Sequence, residues 1–143
     1  MYEQILIPTD GSDASMAAVE QGVELAANFD ATVHFLHVVD VGIEMSASGV
    51  GTIADELSTT LETMATQALD RATEQADVAG VSYERTILEG FPHEAITEYS
   101  AEHEIDLIVL GASGRAGFKE RLLGSTTDRV TRVVDVSVLI ARS

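Results

Sequence analysis

The sequence predicts a three-layer α/β fold: a doubly wound, five-stranded parallel sheet in the order 3-2-1-4-5 with helices on both faces. Apolar runs rich in branched residues alternate with segments of helical period along the chain, the pattern of successive βα units. No repeat of about 20–50 residues and no linker interrupts that alternation. At 143 residues the chain suits one domain, 1–143, long enough to bury a core. Right-handed crossovers then place the switch point of the sheet between strands one and four.

The first strand covers about residues 3 to 8 and ends at Pro8. A helix from about Asp13 to Phe29 follows, with Ser12 as its N-cap and Val19, Val23 and Ala26 on its buried face. The second strand covers about 32 to 39. Val41 to Gly51, with Gly42, Gly49 and Gly51, is either a simple connection or a mobile flap. A long helix over about 52 to 78 carries Leu57, Leu61, Met64, Ala68, Ala72 and Ala76 at three- and four-residue spacing, a stripe expected in the core. The third strand is about 82 to 88. Pro92 suits the first turn of a short helix bearing Ile96 and Tyr99. The fourth strand is about 106 to 110; Leu123, Val130 and Val134 mark the last helix, and Val138 to Ala141 the last strand.

Composition narrows the function. Against 24 acidic residues stand seven arginines and the single Lys119, a net charge of −16. Disorder does not explain it, because 45% of the residues are apolar and periodic. Acid coating a folded domain resembles adaptation to a salt-rich cytoplasm, so a halophilic source is expected. Such a surface lacks the basic stripe that nucleic acids or anionic lipids require. No apolar run approaches the roughly 18 residues of a membrane span, and no leader pattern is visible, so a cytoplasmic protein is expected. Cysteine is absent, which excludes disulfides, thiol catalysis and thiolate metal sites.

Chemistry concentrates between Gly111 and Thr126. Glycines there allow close backbone approach, and successive main-chain N–H groups can converge on an anion. Gly124, Ser125 and Thr126 open the last helix, whose first N–H groups and dipole favour negative charge. Arg115, Lys119 and Arg121 fall within seven residues, with Arg129 and Arg132 on the helix beyond. Local positive potential of this kind admits a polyanion to an acidic surface. Equally, Gly111 and Gly114 suit a tight turn, Ser125 a plain N-cap, and Asp128 with Arg132 an i,i+4 pair. The switch point brings Pro8-Thr9-Asp10 beside Gly111, so two distant segments predict one pocket.

The spacing Gly111-x2-Gly114-x9-Gly124-Ser-Thr126, directly after a buried strand, resembles the nucleotide-binding signature of the universal stress protein family. The likeness extends over nearly the whole chain: Ile5-Leu-Ile-Pro-Thr-Asp-Gly-Ser12, Leu36-His-Val38, Gly90-Phe-Pro-His-Glu-Ala-Ile96 and Val138-Leu-Ile-Ala-Arg142. It implies a fold like that of the adenine nucleotide alpha hydrolases and the ATP-binding branch of the family. It further implies ATP with Mg2+ (or Mn2+) as ligand and a homodimer paired through the last strand, 138–142. Carried over residue by residue, Pro8, Thr9 and Asp10 line the site, with Asp10 facing the ribose or a magnesium ion; in a purely structural role Asp10 caps the first helix with Ser12. Val38 matches the position whose main chain meets the adenine edge. Gly111, Gly114, Gly124, Ser125 and Thr126 match the ribose and phosphate positions, and Arg115 and Lys119 add charge. Two departures stand out: Ser113 where many members carry histidine, and Asp135-Val-Ser137 without the usual proline before the final strand.

No motif for catalysis is present: there is no Gly-x4-Gly-Lys-Ser/Thr loop, Gly-x-Gly-x-x-Gly turn, Gly-x-Ser-x-Gly elbow or His-Glu-x-x-His pair. His34 and His37 point to opposite faces of a strand, so a shared metal site is not expected of them. The expectation is a nucleotide-dependent stress or signalling protein with slow or no hydrolysis. The alternatives are a weak ATPase or adenylate-using enzyme of the same topology, a phosphoacceptor receiver domain, and a ligand-free dimerisation module.

Overall fold

Ile5, Leu6 and Ile7 are wholly buried, so β1 (Gln4–Pro8) needs cover on both faces and a partner on both edges. It pairs in parallel with β2 (Thr32–Asp40) on one side and β4 (Leu107–Gly111) on the other. β3 (Tyr83–Gly90) lies outside β2 and β5 (Ser137–Ala141) outside β4. The order β3-β2-β1-β4-β5 is the one predicted. This is a computed structural model, and it describes residues 1–40, 51–112 and 123–142. The proposed flap, 41–50 of the stretch up to Gly51, therefore lies outside the described residues, as do Ser113, Gly114, Arg115, Lys119 and Arg121.

Alternate strand residues divide between two cores. Ile5, Ile7, Val33, Phe35 and Val109 face α1 (Asp13–Phe29) and α2 (Gly51–Ala79), meeting Val19, Val23 and Ala26 from the first and Leu69, Ala72 and Ala76 from the second. Leu6, Leu36, Ile108 and Leu110 face α3 (Pro92–Glu102) and α4 (Ser125–Val133), meeting Ile96, Tyr99 and Val130. Each such side chain removed from water contributes about 1.5–3 kcal/mol, so these layers carry most of the stability.

The predicted N-cap of α1 is correct: Ser12 is extended, and its hydroxyl accepts from the Ser15 N–H at 3.2 Å. The last helix needs correcting. Leu123 precedes α4, because Gly124 is extended (φ −62°, ψ 154°) and serves as N-cap, leaving Ser125 as the first helical residue. Pro92 opens α3 as expected. At the outer edge, Val138, Leu139 and Ile140 of β5 are half-buried.

Candidate functional site

Beyond the carboxyl ends of β1 and β4 the chain leaves a cavity of about 440 Å³, within the size range of small-molecule sites. Pro8, Thr9, Asp10, Val38, Gly111, Gly124, Ser125 and Thr126 all line it. Eight of the eleven residues singled out in the sequence thus meet at one place; the other three, Gly114, Arg115 and Lys119, lie outside the described residues.

One wall is the β1–α1 turn, which is held by hydrogen bonds within itself and to β2. The Thr9 N–H donates to the Leu36 carbonyl at 2.8 Å. The Thr9 hydroxyl lies 3.1 Å from that of Ser15 and accepts from the Gly11 N–H at 3.3 Å. Asp10 Oδ1 accepts from the Ser12 N–H at 2.9 Å, which is its structural role. Gly11 closes the turn with φ +82°, a conformation that disfavours any side chain. His37 Nδ1 stands 2.9 Å from the Thr9 carbonyl; a carbonyl only accepts, so Nδ1 carries the proton. That buried ring fixes the turn to β2.

The opposite wall is built from the β4–α4 connection. The Gly124 N–H donates to the Ala112 carbonyl at 2.8 Å, and the Thr127 hydroxyl donates to the Gly111 carbonyl, also at 2.8 Å. These bonds aim the start of α4 at the cavity. The first regular bond of α4 is from the Asp128 N–H to the Gly124 carbonyl, and Gly124 brings no side chain to the amides before it. Among the described residues no side chain caps this helix start, and a helix start facing a cavity can receive an anion, with the helix dipole aiding it. The described lining holds two carboxylates, Asp10 and Asp40, and no lysine or arginine. Asp10, with a ligand's own phosphate oxygens, is a donor set suited to magnesium. No cluster of three acidic or histidine ligands occurs among the described residues.

The glycine at 111 has a structural reason of its own. A Cβ there would stand 2.5 Å from the Ala14 carbonyl oxygen, so the glycine lets α1 cross the end of β4. Packing against α1, and not the tight turn expected, therefore accounts for Gly111 without a ligand, since Gly111 is the last residue of β4 and has no positive φ. The α2 stripe also splits: Ala68, Ala72 and Ala76 are core as expected, whereas Leu61 and Met64 are half-buried and line the cavity. Ser15, His37, Thr127 and the apolar Pro92 and Ile96 join them without having been singled out for it. Hydroxyls and apolar residues at helical spacing give no sequence signal that separates a cavity wall from a core.

His34 and His37 do point to opposite faces, as expected. His34 is buried in a closed polar network: Nδ1 lies 2.7 Å from the Tyr99 hydroxyl and Nε2 2.6 Å from Gln4 Oε1. Burial pushes its pKa below the usual histidine value. Glu84, 3.5 Å away and largely exposed, pulls the other way, and His103 adds to the lowering. The ring is neutral at pH 7, so its contact with Glu84 is not an ion pair. On α4, Arg132 pairs with Asp128 at 3.1 Å, the ordinary surface explanation for that arginine.

Comparison with known proteins identifies the fold and its lineage. The family model for the universal stress protein family matches residues 1–142. The chain belongs to the universal stress protein family. It is 35% identical to a universal stress protein of Methanocaldococcus jannaschii over 99% of this chain and 83% of the relative. The universal stress protein UspA from Lactobacillus plantarum superposes with a TM-score of 0.84 at 33% identity, covering 99% of this chain and 98% of that one. A universal stress protein solved in complex with cAMP superposes at 0.72 with 27% identity, covering 99% and 97%. No helix among the described residues is long and apolar enough to cross a membrane.

Proposed function

We propose that this universal stress protein binds ATP with Mg2+ (or Mn2+) in the cavity between β1 and β4 and acts as a nucleotide-dependent stress-response or signalling protein, with hydrolysis slow or absent. The supporting observation is the start of α4, which no side chain caps among the described residues and which lines, with Asp10, a cavity large enough for a nucleoside. In this reading the apolar lining from Val38, Leu61, Met64 and Ile96 encloses the base, and Asp10 meets ribose or metal. The Ser125 and Thr126 amides and hydroxyls hold phosphate, and Gly114, Arg115 and Lys119 complete the phosphate side. The cAMP complex of a relative supports the adenine-nucleotide class. Slow or absent hydrolysis is the part of this reading that draws on the sequence, in which none of the catalytic motifs sought occurs. A homodimer through 138–142 fits the half-buried apolar edge of β5, since a bare apolar edge strand tends to pair.

The test is calorimetric titration of ATP with magnesium into the parent and a Gly114→Val variant, in about 2–3 M KCl to suit an acid-coated protein. Binding by the parent that the variant loses supports the reading. No binding of ATP, AMP or cAMP to a folded parent overturns it. A second reading, a ligand-free dimerisation module, draws on Gly111, whose glycine is accounted for by α1 packing alone.

A further inference from the structure

Arg71 reaches from α2 to the β1–α1 turn, where its Nη1 donates to the Gly11 carbonyl at 2.8 Å. This is a bond between the two elements that wall the cavity on that side. Gly11 follows Asp10, and α2 also carries Leu61 and Met64 into the lining. Met64 and Arg71 are seven residues apart, two helical turns on one face. The side chain is exposed, so its rotamer freedom is held by this contact and not by packing. Among the described residues, further bonds of the turn come from its own serine, threonine and aspartate side chains and from β2.

We infer that Arg71 is a positioning residue for the nucleotide: it clamps the Asp10–Gly11 turn to α2, fixing the direction of Asp10, and places a positive charge beside a lining whose described charged members are both acidic. Charge-assisted bonds to a carbonyl are stronger than neutral ones, and a displaced turn moves a ligand-facing carboxylate directly. The inference rests on the nucleotide reading for its ligand but not for its clamp.

The experiment compares the parent with Arg71→Met, which keeps the stem and loses the donor, and with Arg71→Lys, which keeps charge and donor. Two readouts are taken: the Kd for ATP with magnesium, and hydrogen exchange of the amides of residues 10–15 in the unliganded protein. Expected for Arg71→Met are a Kd raised about three- to tenfold and faster exchange confined to 10–15, with Arg71→Lys restoring both to within about twofold. Unchanged exchange, exchange raised throughout the chain, or a Kd within about twofold of the parent despite faster local exchange each overturns the inference. A parent that binds no nucleotide overturns the proposed function instead, and the exchange comparison then still decides whether the clamp exists.

Discussion

The two turns that face each other across the cavity use their backbone polar groups in opposite ways. At β1–α1, the hydroxyls of Thr9, Ser12 and Ser15 and one oxygen of Asp10, Oδ1, meet neighbouring amides or hydroxyls, and Arg71 takes the Gly11 carbonyl. At β4–α4, the bonds from Gly124 and Thr127 engage carbonyls, and the N-cap offers the helix amides nothing. The first turn is a frame and the second is a receptor. Among the described residues, the two helix starts reach different ends because Ser12 caps α1 with its hydroxyl whereas Gly124 has no side chain to offer α4.

The largest effect expected on this contrast comes from Gly111. Gly111→Val must push the first turn of α1 away, and should lose roughly 1–3 kcal/mol of stability in denaturant titration, with nucleotide affinity falling as the frame shifts. Next is Ser125→Glu, which places a carboxylate at the start of α4. It should stabilise the fold by about 0.3–1 kcal/mol while weakening ATP binding by about tenfold, effects of opposite sign that a merely structural turn would not give; thermal unfolding and calorimetry read both. Ser12→Ala removes a cap from the framing side and should lower stability by about 1 kcal/mol. It should change affinity less than Ser125→Glu does.

The smallest effect concerns pH and lies away from the cavity. The folded-state pKa of His34 is lowered, so the protein binds that proton more weakly folded than unfolded. The His34 contribution is therefore present above the ordinary value of 6.5 and is lost as pH falls through the lowered folded value. Stability measured downward from pH 7 should fall less steeply in His34→Gln than in the parent. An identical slope would mean that burial of His34 does not disfavour its charged form.

Much of this was legible in the sequence, for identifiable physical reasons. Strand order follows from βα alternation and the chirality of crossovers, and the meeting of Thr9-Asp10 with Gly111 follows from the switch-point rule. Ser12 announced itself by residue type and position. Other features depend on contacts distant in sequence. Gly111 is small because Ala14 passes over it, a requirement no local pattern encodes. Arg71 reads as one more charge on a solvated helix face until the fold brings Gly11 within reach. Leu61 and Met64 share a period with true core positions, and only the end of the sheet decides that they border a cavity. His34 and Tyr99 gave no sign of their hydrogen bond, since strand β2 and helix α3 are brought together only by the second core.

The most direct test of the receptor role of α4 is an amide-resolved NMR titration of the protein with ATP and magnesium. The account predicts saturable shifts concentrated at Gly111, Gly124, Ser125 and Thr126, with the amides of Gly11 and Ser12 moving little because they are already bonded within their turn. Saturable shifts centred on the β1–α1 turn with α4 unmoved, or no saturable shifts in a folded protein, would contradict it.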